Sequence, residues 1–118
     1  MPLIQITTSA PLPSKDRVSA LLKSLSKTLA THFAKPERYV MTRLAPPPAA
    51  MTFGGTDEPA CYVEVKNIGT MTPELTEKLS ADITRQLSES LGVAPDRTYI
   101  EFNDAKGHLW GWNAETFG

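Results

Sequence analysis

One feature constrains this chain more than any other: it contains the same unit twice. Pro36-Glu37-Arg38 returns as Pro95-Asp96-Arg97 at an offset of 59 residues. The same offset pairs Ile4 with Val63, Ile6 with Val65 and Ser14 with Pro73, while the helix faces align better at 58. The chain therefore reads as one domain over residues 1–118, with pseudo-repeats at about 2–57 and 60–118.

Each copy has the pattern strand, helix, strand. Ile4 and Ile6 share one face of a short strand over Leu3–Thr7, which Pro11 and Pro13 break. Ser14 stands at a helix N-cap, and Val18, Leu22, Leu25, Leu29 and Phe33 follow three or four apart on one apolar stripe. Residues Arg38–Leu44 form the next strand, ended by Pro46, Pro47 and Pro48. In the second copy, Val63 and Val65 mark a strand over Cys61–Lys66. Thr72 caps a helix with Pro73 in its first turn, Leu75, Leu79, Ile83, Leu87 and Leu91 run down one face, and Gly92 stops it. Thr98–Phe102 is the last alternating strand.

The fold class is thus α/β: two β-α-β units, one four-stranded sheet and both helices on one sheet face. The strands of each unit should be parallel and cross over right-handedly. The other sheet face then lacks a cover. Val40, Val65 and Ile100 supply apolar content there or in the core, and association between copies is the natural remedy.

Composition excludes several classes. Twelve basic side chains face thirteen acidic ones and form no tract, so the electrostatic footprint of a nucleic-acid binder is missing. No stretch nears the roughly 18 consecutive apolar residues of a membrane span. A single cysteine, Cys61, permits no internal disulfide and suits a reducing compartment, and the start lacks a signal-peptide pattern, so a cytoplasmic location is expected. His32 and His108 have no ligand spacing around them, so neither a metal nor a cofactor is expected.

The order and spacing of several blocks carry a resemblance. Met1-Pro2 before an alternating strand, A-K-P-E-R-Y-V-M (34–41), M-T-F-G-G-T-D-E-P (51–59), N-I-G (67–69), P-D-R-T-Y-I (95–100) and G-W-N-A-E-T-F (111–117) together resemble macrophage migration inhibitory factor and its relatives in the tautomerase superfamily. The resemblance implies a homotrimer with active sites at subunit interfaces. It also implies keto–enol tautomerisation of aryl 2-oxo acids such as phenylpyruvate, in some members of dopachrome. Secreted members engage cell-surface receptors, so a cytokine-like binding protein with a vestigial pocket is the alternative. A ferredoxin-like binding module is a third reading, but its RNA-binding versions need basic charge and stacking aromatics around the sheet.

By the same resemblance, Pro2 is the catalytic base once Met1 is removed. An α-amine titrates near roughly 7.7–8.0, and burial or a nearby cation lowers it toward the working pH. With Met1 attached, the Pro2 nitrogen is an amide without basicity. Lys35 matches the lysine that holds the substrate carboxylate; read alone, it is a solvated lysine past a helix end. Ile68 matches a residue whose backbone N–H meets substrate, with its side chain expected in the core. Tyr99 matches a pocket tyrosine given by a neighbouring subunit, and Trp112 and Phe117 match aromatic walls. Two residues depart from the family pattern. Glu101 replaces an asparagine and brings a carboxylate toward the base, and Trp110 replaces a smaller aliphatic residue. Some relatives carry Cys-x-x-Cys after Glu-Pro, but here Ala60 and Val63 hold those positions, so thiol–disulfide exchange is not expected.

Overall fold

A computed structural model describes the whole chain, Met1–Gly118. The strands are β1 (Leu3–Thr8), β2 (Met41–Leu44), β3 (Cys61–Ile68) and β4 (Thr98–Ala105), and the helices are α1 (Lys15–Phe33) and α2 (Pro73–Leu91). The sheet order is β2-β1-β3-β4. β1 pairs in parallel with β2, and β3 with β4, as two β-α-β units require. The units join through the antiparallel pair β1–β3, in which Ile4 faces Val65 and Ile6 faces Val63.

Period-2 strands and 3.6-period helices meet in one core. Ile4, Ile6, Val63 and Val65 pack with Leu21, Leu25, Leu29 and Phe33 of α1 and with Leu79, Ile83, Leu87 and Leu91 of α2. Leu25, Leu29, Leu79, Ile83 and Leu87 are fully buried, and each such side chain contributes about 1.5–3 kcal/mol. The Ser14 hydroxyl accepts from Arg17 N–H at 3.3 Å and the Thr72 hydroxyl from Leu75 N–H at 3.2 Å, so both helices begin at the expected caps. A polar seam also joins the helices. Ser24 donates to Gln86, Gln86 donates to Thr28 and to Asp82, and His32 lies 3.1 Å from Asp82. Burial alone would raise the Asp82 carboxyl, but hydrogen bonds from Gln86, His32 and Arg85, with the charge of Arg85, outweigh it and hold the group below 3.8.

Four details differ from the sequence reading. The strand expected from Arg38 begins only at Met41, because Tyr39 N–H donates to Pro36 C=O and Val40 N–H to Glu37 C=O, closing a 3-10 turn at Glu37–Tyr39. Of the two places open to the apolar residues, the core takes them, and the uncovered sheet face carries polar side chains together with Leu3, Met41 and Tyr99. Val65 is buried in the core and Val40 and Ile100 pack against it, while Arg43 donates to Gln5, Gln5 to Glu64, and Tyr62 to Glu101 across the open face. Ile68 lies on the half-buried side of β3, and its neighbour Asn67 takes the buried position. Finally, the C-terminal segment forms a hairpin of β5 (Gly111–Trp112) and β6 (Glu115–Thr116).

Candidate active site

Four parts of the chain converge at the N-terminal end of β1. Pro2 is fully buried, as the first residue before the strand. A 3-10 turn brings Arg38 and Tyr39 beside it, Val40 and Met41 follow, and Trp110, Gly111, Trp112 and Phe117 close the wall. Together with Met1 and Leu3 they line a cavity of about 280 Å³. Its aromatic residues are locked to one another: Tyr39 meets Trp112 edge-on at 5.3 Å and Phe117 at 6.1 Å, and Trp112 stacks on Phe117 at 5.7 Å. Such edge and stacked contacts fix ring orientation and hold the wall rigid.

Lys35 reaches this end by a different route. Helix α1 stops on Ala34 in the left-handed conformation, with φ 53° and ψ 46°. Ala34 N–H donates to Thr31 C=O and Lys35 N–H to Ala30 C=O, a double closure that satisfies terminal carbonyls and sets where Lys35 leaves the helix. The Lys35 ammonium then donates to the Ile68 carbonyl at 2.7 Å, beside the chain's own α-amine. Burial first, then the charge of Lys35 and a hydrogen bond with it, lower that amine, on Met1, from 8.0 to about 6. An amine so placed is largely free base at neutral pH and can accept a proton.

Of the residues singled out by sequence, Pro2, Trp110, Trp112 and Phe117 share the cavity wall, and Lys35 and Ile68 meet next to the amine. Contact with Ile68 is made through its carbonyl oxygen. Tyr99 and Glu101 are elsewhere. Tyr99 lines a second cavity of about 390 Å³ with Met51, Phe53, Cys61 and Tyr62, its ring 4.8 Å from that of Phe53. Glu101 accepts a hydrogen bond from the Tyr62 hydroxyl at 2.9 Å, which raises the Tyr62 hydroxyl above 10.0. Burial likewise raises the Cys61 thiol above 9.0, against hydrogen bonds with Thr8 and Thr98, so it stays an unreactive thiol. No three His, Cys, Asp or Glu side chains cluster closely enough to hold a metal ion, and no helix is long and apolar enough to cross a membrane.

The family model for macrophage migration inhibitory factor matches residues 1–118. The chain belongs to the macrophage migration inhibitory factor family. It is 35% identical over 117 residues to the macrophage migration inhibitory factor homolog of Trichuris trichiura, covering 99% of this chain and 100% of the relative. The crystal structure of the homologue from Prochlorococcus marinus superposes with a TM-score of 0.90 at 45% identity, covering 98% of this chain and 99% of that one. The Toxoplasma gondii factor gives a TM-score of 0.92 at 28% identity, over 98% of this chain and 99% of that one. By this membership the protein is a tautomerase-superfamily enzyme. The structure also places Arg38, Tyr39 and Met41 on the cavity wall, which the sequence reading missed by absorbing all three into a strand. The signal was available: Lys35-Pro36 followed by an acidic residue starts a turn more readily than a strand.

Proposed function

We propose that the protein is a keto–enol tautomerase of aryl 2-oxo acids, phenylpyruvate being the type substrate, with the Pro2 nitrogen as base after removal of Met1. The observation that carries this reading is an amine lowered to about 6 beside Lys35, at the inner end of an aromatic-walled cavity. Removing Met1 moves the free amine onto Pro2, one residue deeper, where burial again disfavours the ammonium form. Lys35 pairs with the substrate carboxylate, and the wall formed by Tyr39, Trp112 and Phe117 packs against the ring. Pro2 removes a proton from the carbon next to the ketone. The C–H electron pair forms the carbon–carbon double bond, the carbonyl π pair moves to oxygen, and that oxygen takes a proton from water while the Pro2 ammonium returns its proton to solvent, giving the enol; the reverse path restores the ketone.

The reading includes a homotrimer. Met41 and Tyr99 are 63% and 67% exposed on the open face of the sheet, and Leu109 and Trp112 of the C-terminal segment are 73% and 51% exposed. Tyr99 and Glu101 would then reach a cavity of a neighbouring copy. Ultraviolet absorbance of the enol, recorded with the intact mass and light scattering, tests the whole proposal. Met1-free protein should turn over phenylpyruvate at three times the 12.9 kDa chain mass. Its rate should fall as pH drops through the amine's lowered pKa, because protonation removes the base. Full turnover by a sample that retains Met1 would sink the proline mechanism, and an active monomer would sink the shared pocket.

A further inference from the structure

The two repeats set an arginine at the same point, three residues into a Pro-acid-Arg turn, and use it in opposite ways. Arg97 donates to the carbonyls of Pro59, Phe53 and Glu58 at 3.0, 3.2 and 2.8 Å. All its donor edges serve the loop that covers the second cavity. Arg38 makes none of these bonds. Its guanidinium lies 4.8 Å over the Tyr39 ring, it enters none of the ion pairs of the chain, and it lines the cavity at Pro2.

We propose that Arg38 recognises an anion at the mouth of that cavity, and that the ligand is an aryl 2-oxo acid bearing a second carboxylate on the ring end remote from the ketone. This rests on the proposed function for which end of the ligand lies inward. Pro2 is buried and Arg38 exposed, so the amine and Lys35 mark the inner end and Arg38 the outer one. Among the eleven lining residues Arg38 is the one charged side chain, and no carboxylate opposes it. A guanidinium stacked on a ring keeps its in-plane N–H groups free for a two-pronged bond to a carboxylate, and stacking reduces the freedom lost when that bond forms. Beside Arg38 the cavity wall is aromatic, with Tyr39, Trp112 and Phe117 in contact, which favours a ring over an aliphatic chain.

Calorimetric titration of Met1-free protein with cinnamate and with 4-carboxycinnamate reads this without turnover. The second carboxylate should tighten binding about tenfold, the order of a charge-assisted pair. Arg38→Gln should bring the ratio of the two affinities to about one, and Arg38→Lys should keep only part of it, because an ammonium lacks the fork. Thermal melts confirm that each variant is folded. A ratio near one in the parent protein, a ratio that survives Arg38→Gln, or no measurable binding of either acid overturns the proposal. Loss of the Pro2 mechanism with the ratio intact breaks only the proposed function.

Discussion

The cavity at Pro2 and the cavity at Cys61 are the same place in two copies of one unit. Each lies at the start of a central strand, beside a 3-10 turn carrying an arginine. In the first copy the residue before the strand is Pro2, the proposed base, and the aromatic wall comes from the hairpin region at residues 110–117. In the second copy the strand continues from a loop, the backbone nitrogen is an amide, and Arg97 is engaged in holding that loop. Duplication copies a scaffold, but it cannot copy a chain terminus. Under the proposed mechanism the base belongs to the first copy, and the second copy is left with packing.

The largest effect should separate the two equivalent positions. Pro2→Gly is expected to lower kcat by about 10²–10⁴, the usual worth of a placed general base. Cys61→Ala should instead lower Tm through a small cavity, at about 1 kcal/mol, and move kcat little. Comparable kinetic losses from both changes would erase the contrast.

The arginines offer a second test, read in stability. Arg97→Ala leaves three carbonyls without their charged donor, and a loss of roughly 2–3 kcal/mol in denaturant unfolding is expected. Arg38→Ala gives up an exposed ring contact of about 0.5–1 kcal/mol. Equal losses would mean that Arg38 supports the fold as Arg97 does, leaving no free donors for a ligand.

A third test asks whether the second cavity ever meets the first. If neighbouring copies bring Glu101 toward Pro2, its carboxylate raises the amine's pKa and repels the anionic substrate. Glu101→Asn should then raise phenylpyruvate turnover a few-fold. Trp110→Val should relieve the discrimination against 4-hydroxyphenylpyruvate, whose hydroxyl needs the room an indole occupies. Unchanged rates and preference in both variants would confine each residue to its own chain's structure.

The smallest effect concerns the helix ends. Helix α2 stops on Gly92 and α1 on Ala34, both left-handed. Only glycine takes that conformation freely, so Ala34→Gly should stabilise the fold by about 1 kcal/mol, measured as a rise in Tm. A drop would show that the Ala34 methyl contributes packing that outweighs the backbone strain.

Sequence by itself determined the two β-α-β units, their caps and the core face of both helices and of β1 and most of β3, because these rest on local periodicity and capping chemistry. Ser14, Thr72 and Gly92 act where the pattern puts them, and Ile4, Ile6, Val63 and Val65 all point inward. The β5–β6 hairpin escaped detection because its strands are two residues long and its turn is Asn113-Ala114, at φ 50° and 64°, without the glycine that usually marks such a turn. Tertiary structure alone decided which residues share a site. Lys35 and Tyr39 are far in the chain from Ile68 and from Trp112, and only the closing of β1 against β2, with the C-terminal hairpin laid over them, brings them to one amine. It also decided that Arg38 is free and Arg97 is not, since a loop's carbonyls lie within reach of one guanidinium and of no part of the other.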